Sequence, residues 1–265
     1  MKILFFGDVV GRPGREGLRY AIPKWKAEYN ADIVIANGEN ISHGKGISEK
    51  AIKEIMDAGV DVVTSGNHAV DGPSALELLG NEKLPLLRPV NFLPHIPGRG
   101  WMVKNVNGTD LLIINAIGNV HMKTVYQFPF PMVDAVIAEH PDIKYIFVDW
   151  HAEATSEKMV MGWHLDGRVS AVVGSHTHTP TADERILPQG TGFISDVGMV
   201  GPHYSVIGED VKLNMNRRVL QLPGKTDMAE APPYEINAVI IDIDDETGRT
   251  SSIKRLREIV DKSLA

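Results

Sequence analysis

The 265-residue chain contains no cysteine. Disulfide bonds, thiolate catalysis, iron–sulfur clusters and cysteine-ligated zinc sites are therefore excluded. Positive charge is also scarce, because 27 Lys and Arg residues stand against 34 Asp and Glu residues, which gives a net charge of -7. Bulk electrostatic binding of DNA or RNA normally needs a basic face, so we do not expect it. A small anionic substrate, held by metals or by a local positive site, is compatible with this charge.

Long hydrophobic runs are absent as well. The chain begins MKILFFGDVVG, where a short apolar run is broken by Asp8. The run is too short for the apolar region of a signal peptide or for a membrane span, and no cleavage pattern follows it. We interpret it as the first strand of a cytoplasmic protein that has no membrane segment.

The composition is that of an ordinary globular protein. Hydrophobic residues make up 43% of the chain and charged residues 23%, which is the usual balance for a soluble domain. The length fits one large α/β domain, although length alone would also permit two. We predict a single domain over residues 1–265.

Most of the chain repeats one pattern: a short apolar run, a small or polar corner, and an amphipathic stretch. Near-continuous apolar runs indicate strands that are buried on both faces, with helices covering them. The pattern predicts strands over 2–8, 31–40, 60–68, 111–118, 144–151 and 169–178, and helices over 14–29, 48–59 and 72–82.

The last third of the chain favours antiparallel strands. Strands are predicted over 191–198, over 219–223 and over 237–259, with DDETG (244–248) as a hairpin turn in the last of these. An antiparallel portion beside a parallel portion favours two sheets stacked between helical layers over one doubly wound sheet.

Side chains that can bind metals follow five of the apolar runs. In open α/β sheets, ligands bind outside the carboxyl ends of the strands, so we expect these side chains to converge. Taken singly, each has an ordinary structural explanation as a cap, turn or core residue, and only the repeated placement at strand ends favours a site. The residues are Asp8, Glu39, Asn40, Asn67, His68, His151, His176 and His178.

The donor types narrow the choice of metal. Carboxylate, amide and imidazole groups suit iron, manganese or zinc better than copper(I), and imidazole makes magnesium less suitable. So many donors favour two ions about 3.5–4 Å apart that share a bridging carboxylate. Glu39 is the natural bridge, while Asn40 and Asn67 can coordinate through their carbonyl oxygens.

The histidine pair in GSHTHTP (174–180) is the most specific single feature. On an extended backbone, residues i and i+2 point to the same side, so His176 and His178 can hold one ion or two neighbouring ions. His43 and His203 lie in glycine-rich loops that could border the same pocket and contact substrate. The remaining histidines are interpreted as structural or surface residues.

Five blocks in fixed order resemble the calcineurin-like metallophosphoesterase superfamily. The blocks are GDVV (7–10), NGEN (37–40), GNHAVD (66–71), DWHAEATSEK (149–158) and GSHTHTP (174–180). Three positions depart from the superfamily pattern: Val10 replaces a His, Glu39 replaces the usual bridging Asp, and Ala69 stands where an acid is expected. These departures, together with NGEN, DWHAEATSEK and ADERILPQGTGFISDVGMVGP (182–202), resemble the YmdB-like bacterial phosphodiesterases.

The resemblance implies a four-layer α/β/β/α sandwich of two mixed sheets and a homo-oligomer. It also implies two transition-metal ions, iron or alternatively manganese, and hydrolysis of a cyclic nucleotide or another small phosphodiester. The candidate substrates are 2′,3′-cyclic and 3′,5′-cyclic nucleoside monophosphates.

Carried onto this sequence, the resemblance also implies a role for each site residue. The first metal takes Asp8, Glu39, Asn40 and His178, and the second takes Glu39, Asn67, His151 and His176. A hydroxide that bridges the metals attacks phosphorus, and His68 protonates the leaving ribose oxygen. The alternative for His68 is to orient its neighbour Asn67.

Two other functions stay open at this stage. A non-catalytic protein that binds a metal or nucleotide and regulates a partner is compatible with the departures at Val10 and Ala69. A metal-dependent amidohydrolase can also use an HxH pair, but that fold places the pair on its first strand, whereas here it follows the last metal-bearing strand.

Overall fold

Two β-sheets stacked face to face form the centre of the computed structural model, which describes residues 1–261. The strands are β1 (Lys2–Phe6), β2 (Asp8–Val9), β3 (Ile33–Asn37), β4 (Val62–Thr64), β5 (Trp101–Val106), β6 (Thr109–Ile117), β7 (Tyr145–His151), β8 (Ala171–Ser175), β9 (Arg185–Ile186), β10 (Gly192–Ile194), β11 (Met199–Pro202), β12 (Tyr234–Ile243) and β13 (Thr250–Val260). The helices are α1 (Gly11–Tyr29), α2 (Glu49–Asp57), α3 (Ala75–Gly80), α4 (Pro129–Glu139), α5 (Thr155–Leu165) and α6 (Val211–Arg218).

Both sheets are mixed. The first has the strand order β2-β11-β12-β1-β3-β4, with β13 also paired to β12. In it β1, β3 and β4 are parallel, whereas β12 runs antiparallel to β1, β11 and β13. The second sheet has the order β5-β6-β7-β8-β10-β9, with parallel strands in its centre and antiparallel strands at both edges.

The alternation of side chains along each strand builds the layers. In β1, Ile3 and Phe5 face the second sheet, where the Phe5 ring lies 5.3 Å from the ring of Phe147. The intervening Phe6 faces the other way and stacks on Trp25 of α1. Successive strand residues point to opposite faces, so a strand without polar positions must be covered on both sides.

The second sheet is covered in the same way. The outward-facing Leu112 and Val148 pack with Val133 of α4 and Met161 of α5. Helices α1, α2 and α3 pack on the outer face of the first sheet. The layers therefore run helix, sheet, sheet, helix, which confirms the predicted α/β/β/α sandwich. The predicted hairpin is confirmed too, because β12 and β13 pair antiparallel on either side of 244–248.

Two predictions about local structure are wrong. Residues 219–223 form no strand; they follow α6 as a loop in which Val219, Leu220 and Leu222 are exposed. The strand predicted over 169–178 ends at Ser175, so the histidine pair is not on an extended backbone. His176 and His178 have φ angles of +100° and +63°. The direction of both side chains is therefore set by a loop backbone with positive φ.

The fold brings the carboxyl ends of the parallel strands of both sheets to one edge. Strands β1, β3 and β4 of the first sheet end there, as do β7 and β8 of the second. None of the helices within residues 1–261 has the length and apolar character needed to cross a membrane.

Candidate metal centre

Every residue that was predicted from the sequence as a metal ligand lies at the edge shared by the two sheets. Asp8 follows β1, Glu39 and Asn40 follow β3, and Asn67 follows β4. From the second sheet, His151 is the last residue of β7, and the loop after β8 supplies His176 and His178. The carboxylates and His151 are fully or almost fully buried.

One group of donors surrounds the His151 Nε2 atom. That atom lies 3.2 Å from Glu39 Oε2, 3.0 Å from His176 Nδ1 and 3.2 Å from Asn67 Oδ1. Glu39, His151 and His176 meet the spacing expected of a metal site, since their donor atoms all lie within 4.8 Å of one another. These are the residues predicted for the second ion.

A second group shares Glu39 with the first. Its members are Asp8, Glu39 and His178, whose donor atoms also lie within 4.8 Å of one another. The Asn40 amide nitrogen lies 2.9 Å from Glu39 Oε1 and 3.2 Å from His178 Nε2. Oxygen and nitrogen of an amide are told apart by their partners, and turning this amide over would present its oxygen to the same point.

Two features of the protein fit a cation at this place. Within residues 1–261, the fully buried Asp8 Oδ1 atom has no hydrogen-bond partner, and a buried carboxylate oxygen without a partner is costly unless a cation compensates it. Gly66 is the second feature, because a Cβ atom there would overlap His151 Nε2 and Glu39 Oε2. The backbone at residue 66 therefore approaches the donors as closely as a residue without a side chain allows.

Hydrogen bonds fix which nitrogen each imidazole presents. His178 Nδ1 must carry its proton, since it lies 2.8 Å from the carbonyl oxygen of Ile207, which can only accept. His176 Nε2 lies 3.0 Å from a carboxylate oxygen of Glu153, which leaves Nδ1 facing the donors. Partners of this kind orient metal-binding histidines and raise their basicity.

His151 is held by a chain of buried polar groups. The Ser175 hydroxyl donates to Asp149 at 2.7 Å, so its oxygen is free to accept from His151 Nδ1 at 3.0 Å. Asp149 also accepts hydrogen bonds from Asn37 and Thr64, and its burial raises the pKa of its carboxyl group. These residues were not predicted from the sequence, although an aspartate inside the apolar run YIFVDW was a usable signal.

A buried ion pair holds the loop that carries the two histidines. Lys158 Nζ and Asp196 Oδ2 are 2.5 Å apart, and both side chains are almost fully buried. Asp196 also accepts from the backbone N–H of Thr177 at 3.0 Å and from its hydroxyl at 2.8 Å, while Lys158 donates to the Ser175 carbonyl at 2.7 Å. This pair, which the sequence analysis also missed, holds Thr177 between two residues with positive φ.

The pKa values of four donor side chains are shifted away from their usual values. Complete burial raises the pKa of Asp8 from 3.8 to about 6, against the opposing influence of His178 and His151. Burial would lower the pKa of His151, but Glu39, Asp8 and Asp149 raise it from 6.5 to about 9. Burial also opposes ionisation of Glu39, yet its neighbour His151 holds the Glu39 pKa well below 4.5. Burial and the charge on His151 lower the pKa of His176 to about 3.

His68 lies on the same cavity beside the two donor groups. Its backbone N–H donates to Glu39 Oε2 at 3.1 Å, and its Nδ1 atom lies 2.7 Å from Asp71 Oδ2. Asp71 therefore contacts His68 as an acidic partner, even though Ala69 stands where the superfamily pattern has an acid. His43 and His203 do not line this cavity; His203 instead contacts Glu235.

The stacked sheets are also found in a solved structure. The chain superposes on a 5′-nucleotidase precursor from Thermus thermophilus with a TM-score of 0.57 and 14% identity, covering 98% of this chain and 54% of that one. At this identity the match shows the fold alone.

Closer comparisons give the family. Residues 4–256 match the sequence model described as YmdB-like protein, and the chain belongs to the YmdB-like family. It is 43% identical over 258 residues to the 2′,3′-cyclic-nucleotide 2′-phosphodiesterase of Bacillus subtilis (strain 168), covering 97% of this chain and 96% of that protein. The crystal structure of a novel phosphatase from Mycoplasma pneumoniae matches with a TM-score of 0.92 and 34% identity, covering 98% and 94% of the two chains. The resemblance read from the sequence is confirmed.

Gly66→Ala is expected to abolish tight metal binding while the protein stays folded, because the added methyl group displaces His151 and Glu39. Metal content after reconstitution and dialysis measures this, with circular dichroism as the folding check. Gly224→Ala is the matched control, since a Cβ at residue 224 meets nothing within 4 Å. A Gly66→Ala protein that retains its full metal content would contradict the placement of the donors.

Adding Mn²⁺ to metal-stripped protein is expected to release a proton from His151. A metal-binding imidazole must be neutral, and the pKa of about 9 keeps this one protonated in the absence of metal at neutral pH. Calorimetry in buffers of different ionisation enthalpy should give about one proton near pH 7.5, with the number falling as the pH passes 9. Proton release that does not change across this range would show that His151 is not the group displaced.

Proposed function

We propose that this protein is a phosphodiesterase that hydrolyses cyclic nucleotides at a centre of two metal ions. The observation that carries the proposal is the pair of donor groups that share Glu39 on one cavity with His68. The activity for which the Bacillus subtilis relative is named supports 2′,3′-cyclic nucleotides as the substrate class. The 3′,5′-cyclic isomers are the second candidates.

The ligand assignment follows the two donor groups. Asp8, Asn40 and His178 would hold one ion, Asn67, His151 and His176 would hold the other, and Glu39 would contact both. Two such cations would supply a water of lowered pKa as nucleophile and would neutralise charge on the phosphoryl oxygens. Iron is proposed first and manganese as the alternative, because carboxylate, amide and imidazole donors suit both and the resemblance to YmdB-like phosphodiesterases implies one of the two.

His68 is proposed as the proton donor. Asp71 accepts a hydrogen bond from His68 Nδ1–H, so Nε2–H of the protonated ring would donate to the leaving group. In the reaction, water loses one proton to solvent, and its oxygen forms a bond to phosphorus as the bond from phosphorus to one ribose oxygen breaks. That ribose oxygen takes a proton from His68, which regains one from solvent, and the product is a nucleotide with an open phosphate monoester. We also propose that the enzyme is a cytoplasmic homo-oligomer.

A regulatory protein that binds metal or nucleotide without catalysis is the second candidate. The contact between His68 and Asp71 favours catalysis over this candidate, because a binding role alone needs no oriented imidazole next to the metal donors. An amidohydrolase is disfavoured, because the HxH pair follows β8 in a two-sheet fold.

Hydrolysis of 2′,3′-cyclic AMP should require metal. Protein stripped with a chelator is expected to lose activity, and iron(II) or Mn²⁺ should restore it, because the donors supply no nucleophile of their own. Product formation followed by phosphorus NMR or chromatography measures this. Full activity in metal-free protein would refute the proposal.

His68→Gln should slow substrates selectively according to their leaving group. With a ribose leaving group, loss of the general acid should lower kcat by about 10²–10⁴-fold. A bis(p-nitrophenyl) phosphate substrate needs no proton on its leaving group and should lose far less. The exposed His95, which lies outside the cavity, gives the control variant His95→Gln. Equal losses on both substrates would assign His68 to the orientation of Asn67 instead, and a regulatory protein would keep its function in this variant.

A further inference from the structure

The cavity that contains metal donors is also lined by cationic side chains that the proposed reaction does not use. Its volume is about 460 Å³, and the donors Glu39, His176 and His178 lie on it, within the size range of sites for small ligands. Four cationic side chains also line it, and we call them the cationic rim. They are Lys45, Lys123, Arg217 and Arg218.

The cationic rim forms no ion pair within the protein. Among residues 1–261, none of its four side chains has a carboxylate oxygen within 4.0 Å. Two of the acids on the same cavity contact other groups: Glu209 accepts from Thr226 at 2.8 Å and from Asn214 at 3.1 Å. Glu153 contacts His176. The rim charges are therefore available to a ligand.

The segment that supplies both arginines is unlike the rest of the chain. Residues 211–225 contain four Lys or Arg residues and no Asp or Glu, in a protein with a net charge of -7. Arg217 and Arg218 end helix α6, where basic residues complement the helix dipole. That preference accounts for basic residues at the helix end, but it does not require them to face the cavity. Lys212 and Lys225 of the same segment are exposed and do not line it.

We propose that the cationic rim binds phosphate groups of the substrate other than the one that is hydrolysed. A cyclic phosphodiester carries a single negative charge, and under the proposed function the metal centre takes it. Arginine and lysine that lack acidic partners then match further phosphates, which arginine can bind in a bidentate manner. Two substrates offer them: an oligoribonucleotide whose 3′ end is a 2′,3′-cyclic phosphate, and a 2′,3′-cyclic mononucleotide that also carries a 5′ phosphate.

The test compares three substrates, which are 2′,3′-cyclic AMP, its 5′-phosphorylated form and a triadenylate ending in a 2′,3′-cyclic phosphate. With the metal-loaded protein, at least one of the two longer substrates should have a kcat/KM about tenfold or more above that of 2′,3′-cyclic AMP at low salt. The double variant Arg217→Ala/Arg218→Ala should lower this ratio severalfold, with Lys45 and Lys123 left as the remaining rim charges. Lys212→Ala/Lys225→Ala removes the same charge from the same segment and should leave the ratio unchanged.

A preference for the 5′-phosphorylated mononucleotide alone would identify one extra phosphate as the ligand, and a further gain with the triadenylate would identify an RNA end. A ratio near one in the unaltered protein, or a ratio that survives the arginine replacements, would overturn the proposal.

A binding experiment separates this proposal from the proposed activity. Fluorescence anisotropy with a labelled triadenylate ending in a 2′,3′-cyclic phosphate can be measured on chelator-treated protein. Binding should weaken by about tenfold or more in the arginine variant but not in the lysine variant. If no substrate is hydrolysed, the proposed function fails, and this measurement still decides whether the rim binds phosphates. Equal binding by the unaltered protein, the arginine variant and the lysine variant would refute the proposal that the cationic rim binds phosphates.

Discussion

Two carboxylates buried at the edge shared by the sheets impose the main constraint on this structure. Asp8 and Glu39 are 0% and 1% exposed. Burying a charge without compensation costs several kcal/mol, which is comparable to the free energy of unfolding of a whole domain. The protein compensates with imidazoles, amides and backbone N–H groups from five strand ends. The stacked sheets are what allow groups so distant in sequence to meet, since each sheet delivers its strands to the same edge.

Hydrogen bonds and an ion pair behind the donor residues determine the orientation of the donor side chains. Asp149, reached through Ser175, orients His151, and the Lys158–Asp196 pair holds the loop with the two histidines. Neither contact reaches the cavity, yet both limit how the donors can rotate. We expect a centre arranged in this way to hold cations in a fixed geometry, which is what electrostatic catalysis of phosphoryl transfer requires.

Strand ends were predictable from the sequence because strands that are buried on both faces consist of apolar residues. The polar residues that follow such strands are therefore easy to recognise. The donors were identifiable for that reason, and the resemblance added their grouping. The backbone of His176 and His178 was not predictable, because their positive φ depends on Asp196 and Lys158, which lie far from the pair along the chain. Residues 219–223 misled for a related reason: their apolar residues resemble a strand, but they follow α6 as an exposed loop and pair with neither sheet. The contact between Asp71 and His68 was not predicted from the sequence either, because it depends on the turn after β4.

We propose that His176 and His178, one residue apart, bind two different ions that share Glu39. A crystal structure of the metal-loaded protein, with anomalous scattering measured at the metal edge, tests this proposal directly. We expect two ions, one bound by His176 with His151 and the other by His178 with Asp8, with Glu39 contacting both. A single ion, or both imidazoles on the same ion, would contradict it.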